Sequence, residues 1–242
     1  MSLINIKGWR HRTDIKAGDI VIAMCGRFSQ SSTPQEYAAL FGIDTTLEVA
    51  PSYNIAPGHA ILACRLDENG AKTLSTLHWG MIPSWSRGPD KRYSMINARA
   101  ESIAEKPAFR VPFRKHRCLI PANGFYEWHV EKQGKQPYYI HREDDHPLVF
   151  AGIWDHWQDG EGDLINSCAI ITCDANQQMQ AIHERMPVIL QRRQWQDWLQ
   201  ESNTLRLQDM LKPYPHEHLE IYRVSKRVNS PVNNGAELTT AL

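Results

Sequence analysis

Seven short apolar runs set the tightest limit on what this chain can fold into. They are AILACRL (60–66), TLSTLHW (73–79), RCLIPAN (117–123), PYYIHR (137–142), PLVFAGIW (147–154), LINSCAIITC (164–173) and HLEIYRVS (218–225). They read as strands separated by turn chemistry. EKQGKQP (131–137) reads as a hairpin connection with Gly134 supplying the turn. Helical signals are fewer. Thr33, Pro34 and Glu36 combine a capping box with proline at the first helical position, which predicts a helix to about Phe41 that Gly42 stops. DANQQMQAIHERMP predicts a second helix, capped by Asp174 and ended before Pro187. QRRQWQDWLQ (191–200) predicts a third, with Trp195, Trp198 and Leu199 on its core face. No repeat or linker divides the 242 residues. The expected class is α+β: a single domain with a mostly antiparallel, barrel-like β-sheet core and a few flanking helices.

Charge excludes one class of function and points to another. Lys plus Arg equals Asp plus Glu at 27 each, which argues against a globally basic nucleic-acid binder. Locally the balance differs. From Ser84 to Arg117 the basic residues are Arg87, Lys91, Arg92, Arg99, Lys106, Arg110, Arg114, Lys115 and Arg117, against the acids Asp90, Glu101 and Glu105. Trp79, Trp85 and Tyr93 are interleaved with them, a mixture that suits single-stranded nucleic acid, although most such runs are solvated faces. Residues 143–163 are conversely acid-rich. Cys25, Cys64, Cys118, Cys168 and Cys173 form no CxxC, which argues against a disulfide framework or structural zinc. The last four read as small core residues. No apolar run reaches the roughly 18 to 20 residues of a membrane helix. Residues 1–23 make a poor signal peptide, so a cytoplasmic protein is expected.

Four stretches set polar residues among apolar or Gly-Pro surroundings: MCGRF (24–28), MINARAES (95–102), NGFYEWH (123–129) and IHERMP (182–187). In the second, Asn97, Arg99 and Glu101 alternate as one face of an extended segment would. Each has a plain explanation when taken singly. Glu127 beside Tyr126 and Trp128 suits a paired edge carboxylate, and His183 suits a helix C-terminus. A carboxylate flanked by aromatics is also the setting that raises its pKa for proton transfer, and histidine titrates near neutrality. With a cysteine and an asparagine they make a catalytic set, provided they meet in space.

The chain resembles the SRAP family, the SOS-response-associated peptidases also described as abasic-site processing proteins. The resemblance rests on MCGRF, YNIAPG (53–58), HWGMIPSW (78–85), INARAES (96–102), PANGFYEW (121–128), AGIWDHW (151–157), IHERMPVIL (182–190) and VNSPVNNGAEL (228–238), in the family's order over residues 24–238. It implies covalent capture of abasic sites in single-stranded DNA through a thiazolidine crosslink, protecting the lesion in the DNA damage response. The nucleophile would be Cys25, exposed by loss of Met24. By the same resemblance Glu127 shuttles protons, Asn97 holds the amine and reacting carbon in register, and His183 assists proton transfer at the sugar. Arg27, Arg99 and Arg185 would hold phosphates flanking the lesion. Trp85 and the Asn54–Pro57 turn would pack against unstacked bases. The resemblance implies no metal and no organic cofactor; no membrane partner is expected from the apolar runs, and a monomer is expected. The alternatives are a thiol (auto)peptidase that cleaves before Cys25, and a DNA-binding module without covalent chemistry.

Two departures touch DNA contacts. Many members carry threonine where Ser102 stands, and a second aromatic near Trp85 is replaced by Ser86. A larger departure is the extension 1–23, which leaves a peptide bond where Cys25 needs an amine. Translation from Met24 is the expected explanation, ahead of proteolytic removal or a retained segment. Residues 24–238 then form the domain and 239–242 a tail.

Overall fold

All seven apolar runs form strands. The computed structural model describes residues 25–89 and 95–242. In chain order the strands are β1 (Phe28–Gln30), β2 (Ser52–Ile55), β3 (Ala60–Leu66), β4 (Lys72–Trp79), β5 (Asn97–Arg99), β6 (Arg117–Ala122), β7 (Gly124–Glu131), β8 (Gly134–Arg142), β9 (Leu148–Gln158), β10 (Leu164–Asp174), β11 (Arg185–Pro187) and β12 (Leu219–Arg223). The helices are α1 (Pro34–Phe41), α2 (Arg110–Lys115), α3 (Trp195–Gln200) and α4 (Thr204–Asp209).

Strands β10, β4, β3, β6 and β9 pair in that order, and β9 pairs back onto β10 to close a five-stranded barrel. Closure removes the open edges that a flat sheet would expose. The barrel is antiparallel except where β10 runs parallel to β4. Strand β10 is buried on both faces from Ser167 to Cys173, which is why apolar residues fall on both faces rather than alternating with exposed polar ones. Beyond β4 and β9 the same strand takes β5 on one edge and β11 on the other, with Thr172 opposite both Arg99 and Pro187.

A second, five-stranded sheet is ordered β12-β8-β7-β1-β2. Its hairpin turns at Gly134, whose φ of +102° favours glycine, so β7 and β8 pair from Glu131↔Gly134 to Gly124↔His141. Aromatic rings join this sheet to the barrel. Phe28 meets Trp79 edge-on at 5.0 Å between centroids and Phe150 at 5.9 Å, while Phe125 meets Phe150 at 6.0 Å. All four are fully buried, and truncating one to alanine would cost about 3–5 kcal/mol.

Helix α1 forms as expected. Thr33 Oγ1 accepts from Glu36 N–H, Glu36 Oε2 accepts from Thr33 N–H, and Gly42 ends the helix at φ +69°. Helix α3 likewise buries Trp198 and Leu199. The helix expected over 174–187 does not form. Asp174 ends β10, Met179–Ala181 makes one 3-10 turn, and Arg185–Pro187 becomes β11. Asn176, not Asp174, bonds to the start of that turn: its Oδ1 accepts from Met179 N–H at 2.9 Å and its Nδ2 donates to Tyr214 O at 2.8 Å. A buried side chain thus supplies the local bonds that a helix would have supplied, and β10 takes the rest.

The basic run is also divided. Arg117 and Trp79 are buried, so neither belongs to a nucleic-acid face. Asp90, Lys91, Arg92 and Tyr93 lie outside the described residues. Cys64, Cys118, Cys168 and Cys173 are buried free thiols, and burial pushes those of Cys64 and Cys173 up to about 12. No helix among the described residues is long and apolar enough to cross a membrane.

Candidate active site

Cys25 and Glu127 meet across 102 residues of sequence. The register that joins them is antiparallel: Phe28 lies opposite Phe125, and Tyr126 N–H donates to Arg27 O at 2.9 Å. Beyond that pair Cys25 N–H donates to Glu127 Oε1 at 2.7 Å. Cys25 is fully buried and Glu127 is 3% exposed. Cys25 has φ +45°, a left-handed conformation that costs a non-glycine residue about 1–3 kcal/mol and clusters at functional positions.

Burial sets the electrostatics. It pushes the Glu127 carboxyl up to about 8, partly offset by the N–H groups of Cys25 and Trp128. Burial first, then the neighbouring Glu127, raises the Cys25 thiol well above its ordinary value. At neutral pH a protonated acid and an un-ionised thiol therefore face one backbone nitrogen. In the 242-residue chain that nitrogen belongs to the Met24–Cys25 peptide.

Asn97 opens β5, opposite Ile170 of β10. Trp79, which packs on Phe28, donates its indole N–H to Ile96 O at 2.9 Å and so fixes the residue before Asn97. Ala98 is buried while Asn97 and Arg99 turn the other way; Glu101 follows in a 3-10 turn, so the extended segment ends at Arg99. His183 stands in the turn before β11, not at a helix end. Its Nδ1 accepts from Arg185 N–H at 3.0 Å, so the neutral ring carries its proton on Nε2.

Arg185 is buried and heavily bonded. Its guanidinium reaches Glu101 Oε1 and Asp174 Oδ1 at 2.7 Å each, Glu101 Oε2 at 2.9 Å and Thr172 O at 2.8 Å. These bonds tie β10 and β11 to the 3-10 turn after β5, and a grip on a phosphate would have to compete with them. Arg27 is also engaged, through Nη1, with Asn54 Oδ1 at 2.6 Å and Val228 O at 2.8 Å; burial lowers its pKa to about 10. Asn54, 1% exposed, donates from Nδ2 to the carbonyls of Val228, Ser230 and Asn233. Of the Asn54–Pro57 turn, the first three residues are buried, and Pro57 is exposed. Trp85 is 67% exposed and Arg99 is exposed.

Sequence reasoning assigned no role to the loop around 228–234. The structure places it against the site through Arg27, Asn54 and two further bonds: Trp128 Nε1 to Asn229 Oδ1, and Tyr53 N–H to Asn234 Oδ1, both at 2.7 Å. The asparagine-rich string was the available signal, since short amides readily bond loop backbones.

A family model described as SOS response associated peptidase (SRAP) matches residues 24–231. Abasic site processing protein YoaM of Bacillus subtilis is 43% identical over 224 residues, covering 90% of this chain and 98% of that protein. Abasic site processing protein YedK of Escherichia coli is 31% identical over 229 residues, covering 89% and 98%. A crystal structure of a protein from Bacteroides thetaiotaomicron superposes with a TM-score of 0.82 at 28% identity, covering 90% of this chain and all of that one.

Proposed function

The chain belongs to the SOS response associated peptidase (SRAP) family, and from that premise we propose that it processes abasic sites in single-stranded DNA by capturing them covalently at Cys25. The observation that carries this reading is the 2.7 Å contact between Cys25 N and a buried Glu127 whose carboxyl holds its proton to about pH 8.

The reaction begins once the residues before Cys25 are removed, which turns its nitrogen into an α-amine. An α-amine has a pKa of about 7.7 to 8.0, so much of it is neutral near physiological pH. The neutral amine adds to the aldehyde of the ring-opened abasic sugar. Protonated Glu127 gives its proton to the departing hydroxyl, water leaves as an iminium forms, and the nitrogen returns its proton to the Glu127 carboxylate to leave an imine. The Cys25 thiol then adds to the imine carbon; sulfur bonds to carbon and the thiol proton passes to nitrogen, closing a five-membered thiazolidine. This order suits the two groups. A buried thiol with a raised pKa is a poor first nucleophile, and it needs no ionised lifetime to close a ring on a carbon already held beside it. Asn97 orients the amine, and His183 moves a proton at the sugar through Nε2. Trp85, Pro57 and Arg99 supply the exposed face for unstacked bases and phosphate. Arg27, Asn54 and Arg185 act beneath that face by fixing its backbone.

Protein beginning at Cys25, mixed with a single-stranded oligonucleotide carrying one abasic site and run on a denaturing gel, should give a slow band. The Cys25→Ser variant should lose it by at least 100-fold. A band of equal strength from Cys25→Ser defeats the thiazolidine. Complexes that all dissociate in denaturant point to a binding module instead. Release of residues 1–24 from the 242-residue chain that stops in His183→Ala would support the thiol autopeptidase.

A further inference from the structure

Three ligand-type side chains converge on elements that the Cys25 chemistry does not use. His116 sits at the corner between α2 and β6, and Asp155 and His156 are neighbours on β9. Their donor atoms all lie within 4.8 Å of one another. Asp155 Oδ1 is 3.7 Å from His116 Nδ1 and 3.9 Å from His156 Nδ1. Both separations are too long for hydrogen bonds. Tetrahedral zinc, with bonds of about 2.0–2.1 Å, holds neighbouring ligand atoms about 3.3–3.4 Å apart, so Asp155 is close to ligand spacing from each ring and the two imidazoles must draw together.

The set is also pre-ordered. Asp155 is 5% exposed, its Oδ2 accepts from Ser84 N–H at 2.9 Å and its Oδ1 from His156 N–H at 3.0 Å. The His116 ring stacks on Trp154 at 4.8 Å between centroids, and Trp154 in turn carries the Arg65 guanidinium at 4.5 Å. His116 Nδ1 is buried without a hydrogen-bond partner, an arrangement that proteins rarely leave unexplained. His156, 52% exposed at its side chain, leaves the approach open to solvent. Two imidazoles and one carboxylate are the donors zinc takes when one position stays open.

We propose that His116, Asp155 and His156 form a zinc site whose fourth position faces solvent. The bound ion would have a structural consequence nearby. Asp155 already holds Ser84, and Trp157 Nε1 donates to Ser86 O at 3.0 Å, so the same strand end carries the loop that presents Trp85. Zinc at Asp155 would stiffen that loop.

The test uses the full chain without an affinity tag, stripped with EDTA and titrated with Zn²⁺ by calorimetry. It is repeated in a Cys25→Ser background so that the Cys25 thiol contributes nothing. One equivalent should bind in both, Zn²⁺ should raise the melting temperature, and Co²⁺ should give the visible absorption of a four-coordinate N/O site. His156→Ala, which removes an exposed side chain, and His116→Gln should each weaken binding tenfold or more. His146→Ala, on a different loop, should not. Absence of binding, or His156→Ala binding as the parent does, would overturn the site.

Discussion

Arg117 and Glu127 are both ionisable and both buried, yet the fold treats them in opposite ways. Arg117 sits where α2 and α3 end. Its guanidinium donates to the carbonyls of Phe113, Arg114, Trp198, Leu199 and Glu201, so the cation closes two helix termini at once. Burial lowers its pKa only to about 10, and it remains charged at neutral pH. Among the described residues Glu127 has backbone donors from Cys25 and Trp128 alone, and burial wins: its carboxyl is pushed up to about 8. A buried charge completed by its own chain is structural. One left incomplete stores a proton, and a reaction can use it.

Glu127→Gln tests the second half of that contrast and should have the largest effect. It keeps the shape and removes the transferable proton, so crosslinking should slow by about 10²–10⁴-fold in single-turnover gels. Stability should move the other way. A carboxyl whose folded pKa exceeds its unfolded value of 4.5 weakens the fold progressively as pH rises from there to about 8. The glutamine variant escapes that loss and should be more stable at pH 8 by on the order of 1–3 kcal/mol, with little difference near pH 4.5. A variant that is less stable at pH 8 in urea melts would break the comparison.

Arg117→Met tests the first half. It should cost about 3 kcal/mol or more, because several buried carbonyls lose their donor, while the crosslinking rate of the remaining folded protein stays the same. Trp85→Ala should leave stability within about 0.5 kcal/mol and weaken single-stranded DNA binding by about 1–3 kcal/mol in a fluorescence titration. The gentlest effect is on pH dependence. The rate should climb as the α-amine loses its proton near roughly 7.7 to 8.0 and fall at higher pH as the Glu127 carboxyl, which burial raises, loses its own. A flat profile across that range would remove Glu127 from proton transfer.

The strands and α1 were legible because their signals are local. A period of alternation, a capping box or a glycine at a turn works within a few residues, and Thr33 to Gly42 behaves as its sequence says. Strand β7 was not among the expected strands, although Tyr126 to Glu131 alternate apolar and polar residues as a half-buried strand does. The 174–187 segment was misread for a related reason. Its helix signals were real, but Asn176 and the edge of β10 offered better partners. At the site, Cys25, Asn97, Glu127 and His183 were marked by residue type and by family resemblance. That Arg27, Asn54 and Arg185 spend their polar groups inside the protein was not visible, because each bonds to segments far away in sequence.

By itself the sequence determined the α+β class, most strands, the first helix and the short list of residues able to do chemistry. Tertiary structure alone decided that Cys25 N points at Glu127 and that burial raises the Glu127 carboxyl. The physical reason is range. Propensity and capping act over one turn, whereas burial and long-range pairing depend on where distant segments pack, and it is burial that sets the acid.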